Sequence, residues 1–324
     1  MLYHREADMH TFMIAANDAG QRADKFLLKA CPKLPKSLLY KTFRKKDVKL
    51  NGRRIPAETF LKTGDVLQIY LPDDVFTAVP KKAVPKHLPM PEIEYEDEQI
   101  VILRKPVNLP VHADGQGSAD TLAGRFLQYL TESGAYDADA EQSFTPALCN
   151  RLDRNTEGFV IGAKTAEALR TVNEMIRENR VIKQYLCITA GIPPKEHDTV
   201  RAYHRRLESR PAELSELPRE GFREIVTEYE VLQKHDGLAL LLVTLHTGRT
   251  HQIRVQTAAL GCPVLGDNRY GNRSVNARCG EGHQLLAACL LRFDVPDEGH
   301  LLSHLHGKSF SYTPAFCKKY GFSL

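Results

Sequence analysis

Residues 75 to 90, VFTAVPKKAVPKHLPM, hold three prolines, three lysines and no acid. Proline lacks a backbone N–H and its ring clashes with a preceding helical turn, so such a stretch neither enters a sheet interior nor continues a helix. It reads as an extended linker. It divides the 324 residues into a small leading unit and a larger body, a length that suits one large domain or two modest ones. The linker is expected to leave the leading unit mobile relative to the body.

Charge follows the same division. Residues 21–72 carry thirteen Lys or Arg against four Asp or Glu, a net of +9, while the whole chain is +4 and the remainder therefore −5. Concentrated positive charge on a compact module is the electrostatic footprint of nucleic-acid binding; a solubilising surface is the plainer reading. No apolar run reaches about 18 residues, so no membrane-spanning helix is expected. The opening MLYHREADMHTFMIAAND carries acids and no apolar core, unlike a secretory signal, and the cytoplasm is the expected compartment. The seven cysteines are scattered, odd in number and free of C-x-x-C spacing, which argues against a disulfide framework or zinc ribbon. Cys187 and Cys289 sit in apolar runs and read as buried thiols. Cys279 and His283 in one polar loop are too few for a metal, and no metal site is expected.

In the leading unit, RADKFLLKAC places Phe26, Leu27 and Ala30 on one helical face. Ser37 is positioned to cap a second helix, LLYKTFRKK, with Leu39 and Phe43 four apart. Asn51-Gly52 between two strand-like runs is a hairpin signal, and GDVLQIYL closes the unit with a strand. This order brings Arg44, Lys45, Lys46, Lys49, Arg53 and Arg54 together, with Lys36 at the head of the second helix. The stretch resembles an S4 domain, a small RNA-binding module. Residues 1–15 are expected to be a tail or leading strand, 16–74 the S4-like unit, 75–90 the linker and 91–324 the body.

The body mixes strands and helices without a βαβ rhythm, which predicts an α+β fold. Strands are expected at 100–104, in FVIGAK, in VIKQYLCITA and in a pair around Lys234-His235-Asp236-Gly237. TLAGRFLQYL reads as a helix, and Thr165 as the cap of AEALRTVNEMIREN, whose Leu169, Val172 and Ile176 share a face. In VIKQYLCITA the even positions are mostly apolar, so Tyr185 points away from that face. HQIRVQTAALG reads as a helix with Ile253 and Leu260 inward. Its start, Thr250 to Gln252, would offer free N–H groups to a phosphate or other anion. No phosphate loop or dinucleotide fingerprint occurs.

Three polar clusters remain: NRLDRNTEG (150–158), KQY (183–185) and GRTHQIR (248–254). With GDNRYG (266–271) and the upstream KPVNLPVH (105–112), they stand in family order. Together they resemble the RluA family of RNA pseudouridine synthases over roughly residues 91–324. The resemblance implies a mixed, mainly antiparallel sheet with flanking helices. It implies isomerisation of uridine in structured RNA: the N1–C1′ bond breaks, the uracil turns and rejoins through C5. No redox step occurs and no outside atom enters, so no cofactor is implied. A carboxylate at the base–ribose junction is needed, and the resemblance makes it Asp153, attacking the nucleotide or assisting base departure. It implies that Arg249 pairs with that carboxylate, an opposite charge favouring the ionised form. It implies that Tyr185 packs on the uracil and helps take the C5 proton, and that Arg151 fills the gap left by a flipped-out base. Leu152, Thr156, Gly248, Thr250, His251, Gln252 and Arg254 lie in the same motifs and are expected at the RNA. Ribosomal RNA is the expected partner, transfer RNA the other, and a monomer is expected. Asn150, Glu157 and Leu286 depart from the family pattern. They motivate the competing reading, an RNA-binding or ribosome-assembly protein that has lost catalysis.

Overall fold

A computed structural model describes residues 8–71, 84–113, 119–207, 211–295 and 299–324. The leading unit contains β1 (Asp8–Met13), α1 (Ala23–Ala30), α2 (Lys36–Lys45), β2 (Val48–Leu50), β3 (Arg53–Arg54) and β4 (Val66–Leu71). Its strands form an antiparallel sheet in the order β1-β4-β2-β3. The two helices bury Phe26, Leu27, Leu39 and Phe43 against Val48, Leu67 and Ile69 of that sheet. The Asn51-Gly52 turn forms as expected between β2 and β3. One alternative is decided and one expectation changes. Residues 8–13 pair along the whole of β4, so the leading strand belongs to the unit's sheet rather than to a tail. Ser37 does not cap α2: the helix begins at Lys36 behind Pro35, whose ring fixes φ at −63°.

Residues 75–83, the first nine of the expected linker, lie outside the described residues. Its described end is held on the body, where Gln128 bonds both the N–H and the carbonyl of Leu88. The leading unit also docks, contrary to a freely mobile tether. The fully buried Asp18 accepts hydrogen bonds from Ser143 (2.6 Å) and Gln142 (2.8 Å). Asn17 accepts the N–H of Ala166, at the start of a body helix.

The body is built on β5 (Glu92–Glu96), β6 (Ile100–Lys105), β7 (Ala147–Leu148), β8 (Glu157–Ala163), β9 (Val181–Ala190), β10 (His197–Arg205), β11 (Glu213–Ser215), β12 (Arg223–His235), β13 (Leu238–Leu245), β14 (Leu286–Phe293) and β15 (Ser309–Ser311). Nine of them run in the order β11-β10-β12-β13-β9-β14-β8-β6-β5, with β15 on β14 and β7 on β8. Among the described pairings only β8–β14 is parallel. The α+β, mainly antiparallel architecture is thus present.

Both sheet faces are covered, because alternate residues of the central strands are apolar on both sides. On one face, α3 (Leu122–Glu132) and α5 (Gln252–Ala259) bring Phe126 and Ile253 onto Val101, Val160, Tyr185 and Val243. On the other, α4 (Ala166–Arg177) packs Val172 and Met175 on Phe159 and Ile161. Also on that face, α6 (Arg273–Cys279) and α7 (Ala315–Lys319) cover Leu186, Ile188 and Ala287. Thr165 caps α4 through the Ala168 N–H, as its position predicted. The buried face of α4 centres on Ala168, Val172 and Met175, with Leu169 and Ile176 at its margin.

Candidate active site

The loop 149–156 enters between β7 and β8, over the seam where β8, β14 and β9 adjoin. Its ends are tied to β8. Asn150 mimics a strand residue, accepting the Ile161 N–H (2.8 Å) and donating to the Phe159 carbonyl. The Thr156 N–H closes a turn on the Asp153 carbonyl. Gly158 is forced by the close approach of β14: its φ is +122° and a Cβ would stand 2.2 Å from the Ala288 carbonyl oxygen.

The arginine that holds Asp153 is Arg254, and the expected pairing with Arg249 is wrong. Arg254 Nη1 donates to Asp153 Oδ2 at 2.8 Å. Its Nε and Nη2 grip the two oxygens of Asp267 at 2.7 and 3.0 Å. The side chains are 8% exposed for Arg254, 17% for Asp153 and 0% for Asp267. Burial opposes the Arg254 charge, but Asp267 first and then Asp153 outweigh it and raise its pKa. A planar guanidinium shared between two carboxylates leaves Asp153 little freedom to rotate. The reason for the shift is where α5 begins. It starts at Gln252, so Arg249 stays in the exposed turn while Arg254 sits inside the first turn of a buried helix.

That turn is closed by its own side chains. Gln252 accepts from the Arg249 N–H and donates to the Val226 carbonyl and Thr227 hydroxyl, and the Gln252 N–H bonds the Arg249 carbonyl. The expected anion site on the N–H groups of 250–252 is therefore partly occupied, and Gln252 shapes the turn from within. His251 takes a left-handed conformation (φ 59°) as the residue before α5. Its Nε2 lies 3.8 Å from Asp153 Oδ2 and its Nδ1 3.1 Å from the Tyr270 hydroxyl. Burial first, then the Arg254 and Arg269 charges, push its pKa down to about 4 against the pull of Asp153.

Two residues at the centre escaped the sequence reading. Asp267, in GDNRYG, anchors Arg254 and also accepts the N–H groups of Arg269 and Tyr270. Lys105, in KPVNLPVH, is fully buried and donates to the carbonyls of Pro106, Leu109 and Arg154 at 2.8, 2.9 and 2.8 Å. Burial draws its pKa down to about 7, with Asp153 and Glu157 pulling it back up. Three carbonyl acceptors are the geometry of an ammonium, since a neutral amine has only two N–H donors. Both residues sat inside recognised motifs, but a buried charge announces itself only once its partners are assembled.

Tyr185 points away from Leu186 and Ile188, as the alternation predicted, yet its face is also packed. It is 6% exposed, and burial, then the Asp153 charge, raise its phenol well above the ordinary value. Arg151, Leu152, Asp153, Thr156 and Tyr185 line one cavity of about 370 Å³, together with Gly248, Arg249, Thr250 and Leu286. A second cavity, of about 590 Å³, shares Arg151, Asp153, His251 and Arg254 and adds Arg154, Arg206 and Arg269. Asp153 is the only acid among the described lining residues of either. A larger cavity, near Gly191 and Tyr320, includes none of these residues. Glu157 faces the other side of the sheet: on β8 it alternates with Val160 and shares the face of Phe159 and Ile161. Burial raises its pKa, and Arg104, His283 and Lys105 oppose that.

None of the expected RNA contacts of the leading unit lines either cavity. Arg44, Lys45, Lys46, Arg53 and Arg54 are exposed around the end of α2 and the β2–β3 hairpin. Lys49 lies over the Tyr70 ring. Lys36 is at the opposite end of α2, roughly 13 Å along the helix from Lys45.

A single clamped carboxylate between a small cavity and an arginine-rich groove is an arrangement suited to an enzyme that works on RNA. Comparison with known proteins gives the class. Residues 99–259 match the family model described as RNA pseudouridylate synthase. The chain is 32% identical over 300 residues to ribosomal large subunit pseudouridine synthase C of Salmonella typhi, covering 89% of this chain and 90% of that one. It is 31% identical over 300 residues to the protein of the same name from Escherichia coli K12, covering 89% and 90%. Among solved structures, human RNA pseudouridylate synthase domain containing 4 shares the fold with a TM-score of 0.55 and 22% identity, covering 72% of this chain and 94% of that one. The chain belongs to the RluA family of RNA pseudouridine synthases, and it is an enzyme that isomerises uridine in RNA to pseudouridine.

Proposed function

We propose that the substrate is ribosomal RNA of the large subunit, that the protein acts on it as a cytoplasmic monomer, and that Asp153 performs the chemistry. The observation that carries this is the position of Asp153: among the described residues it is the one acid lining the two cavities, fixed by Arg254, which Asp267 fixes in turn. The names of the curated relatives support the substrate. The smaller cavity takes the flipped-out uridine, and extrusion costs a few kcal/mol. Arg151, exposed and lining both cavities, fills the gap in the stack. The arginine-rich groove takes the flanking phosphates. The leading unit is an S4-like RNA grip whose exposed cations act at a distance from the chemistry.

Tyr185 packs against the uracil as a neutral phenol. Burial, then the Asp153 charge, favour that neutral form, and Tyr185 holds the base in place. The departures from the family pattern keep clear of the clamp. Asn150 ties the loop to β8, Glu157 faces the far side of the sheet, and Leu286 supplies an apolar wall.

The test is tritium release from RNA labelled at uracil C5, with ribosomal and transfer RNA offered separately to wild type and to Asp153→Asn. Release from ribosomal RNA by wild type alone is expected. Release by the variant removes Asp153 from its role, and release from transfer RNA alone replaces the substrate.

A further inference from the structure

Lys183 stands two residues before Tyr185 on β9, and both line the smaller cavity. It is half-buried, beside Cys149 and Ile176 in the cavity wall. Among the described residues it has no ion pair and no hydrogen bond. Burial alone lowers its pKa, with no carboxylate acting against it. The other cations buried at the site are all engaged: Arg254 by two carboxylates and Lys105 by three carbonyls. A half-buried ammonium without a partner costs stability, so its counter-charge is to be sought in the ligand.

A target nucleotide offers negative charge in two places. Its phosphates are served by the second cavity, where Arg151, Arg206 and Arg269 are exposed. The other charge exists only during the reaction. When N1–C1′ breaks, the bonding electron pair leaves with the uracil and spreads over N1, O2 and O4. At C1′ the lost pair is replaced by one from Asp153 or by loss of the C2′ proton. When C5 then bonds to C1′, that change is reversed, C5 gives up its proton and N1 takes one, so the product is an isomer.

Resting on the reading of this protein as a uridine isomerase, we propose that the Lys183 ammonium donates to a uracil carbonyl oxygen and stabilises the detached base while it is an anion. Lys183 keeps its proton throughout. A carbonyl of the intact nucleotide is a weaker acceptor than the same oxygen of the anion, so the contact strengthens as the bond breaks, which is the condition for accelerating the step.

The experiment measures single-turnover tritium release and RNA affinity for wild type, Asp153→Asn, Lys183→Met and Lys183→Arg, with the melting temperature of each. Lys183→Met is expected to lose on the order of 10²–10³ in the single-turnover rate, as removal of one oxyanion donor does. Its Kd should stay within about twofold and its melting temperature should not fall. Lys183→Arg should recover at least roughly tenfold of the loss. Weakened affinity with an intact rate at saturation would make Lys183 a phosphate anchor and overturn the proposal, as would an unchanged rate. A lowered melting temperature with no rescue by arginine would make the residue merely structural. If wild type itself releases no tritium, the isomerase reading falls with it. If wild type is active and Asp153→Asn is not, a normal Lys183→Met removes this inference alone.

Discussion

The leading unit and the centre of the body both depend on positive charge, and they hold it in opposite ways. Around α2 and the β2–β3 hairpin, Arg44, Lys45, Lys46, Arg53 and Arg54 project into solvent, and no ion pair between described residues involves them. At the centre, Arg254 and Lys105 are buried, Arg254 bonded through all three of its nitrogens and Lys105 through three hydrogen bonds. Exposed charge acts over a Debye length of about 10 Å, is screened by salt and tolerates displacement. Buried charge is screened little, but it is costly unless its partners are in place. The first arrangement suits collecting a polyanion from solution. The second suits holding one carboxylate at a fixed point.

The comparison is broken most severely at Arg254. In Arg254→Gln, Asp153 and the fully buried Asp267 lose their shared counter-ion at once. Removing one partner of a buried pair costs about 3–5 kcal/mol, which should appear as a marked drop in melting temperature. The single-turnover rate should fall at least roughly 10³-fold, because the carboxylate is no longer aimed. Arg249→Gln, only five positions away but exposed in the turn, should change the melting temperature little and the rate by less than about tenfold. If Arg249→Gln proved the more damaging of the two, the assignment of the clamp to Arg254 would be wrong.

That pair of arginines also marks where the sequence stops being legible. The motif GRTHQIR contains both, and the resemblance pointed to the segment as a whole. Choosing between them needed the first helical residue of α5, and end positions are the least certain feature of a periodic pattern. The pattern gave no help, because α5 is buried nearly all round, from Gln252 through Thr257, so it has no polar face to orient it. Asp267, thirteen positions further on, is what commits Arg254, and that contact is tertiary. The local features were readable for the converse reason. The Asn51-Gly52 turn, the Thr165 cap and the alternation that aims Tyr185 away from Leu186 each depend on neighbours within a few positions. β1 was only half readable. The sequence allowed a tail or a strand, and the choice was settled by pairing with β4, more than fifty positions away.

A smaller effect separates His251 from an ordinary histidine. Its folded pKa is about 4 against an ordinary 6.5. A depressed pKa means that the unfolded chain binds the proton more readily between those values. Stability is therefore lost as pH falls from 6.5 towards 4 and is fully present above that window. At roughly 1.4 kcal/mol per unit the linkage amounts to at most about 3 kcal/mol, for a side chain 20% exposed. Urea unfolding of wild type and His251→Gln at a series of pH values isolates it, because the carboxylates common to both cancel in the difference. The difference should grow with pH from 4 to 6.5 and be flat from 6.5 to 8. A difference that changes between pH 6.5 and 8 instead would show an imidazole titrating near neutrality, and with it a site far more open to water than the clamp around Asp153 allows.

The mildest perturbation lies at the other pole of the comparison. Reversing charge at Lys45, Lys46 and Arg53 places three acids among cations that are exposed and uncommitted, so the fold has no partner to lose. If each residue meets one phosphate, the slope of log affinity against log salt should flatten by about two to three, from roughly 0.7–0.9 per neutralised phosphate. The single-turnover rate on saturating RNA should stay within about twofold of wild type, because Asp153, Arg254 and Asp267 are untouched. The docked placement of the leading unit makes this a sharper demand than a free tether would. Asp18 and Asn17 fix the unit to the body, so any RNA bound on its cations would be presented to the groove from a set direction. A large loss of rate at saturation with normal melting would mean that this presentation, and not affinity alone, is what the exposed cations supply. The two kinds of positive charge would then be parts of one device.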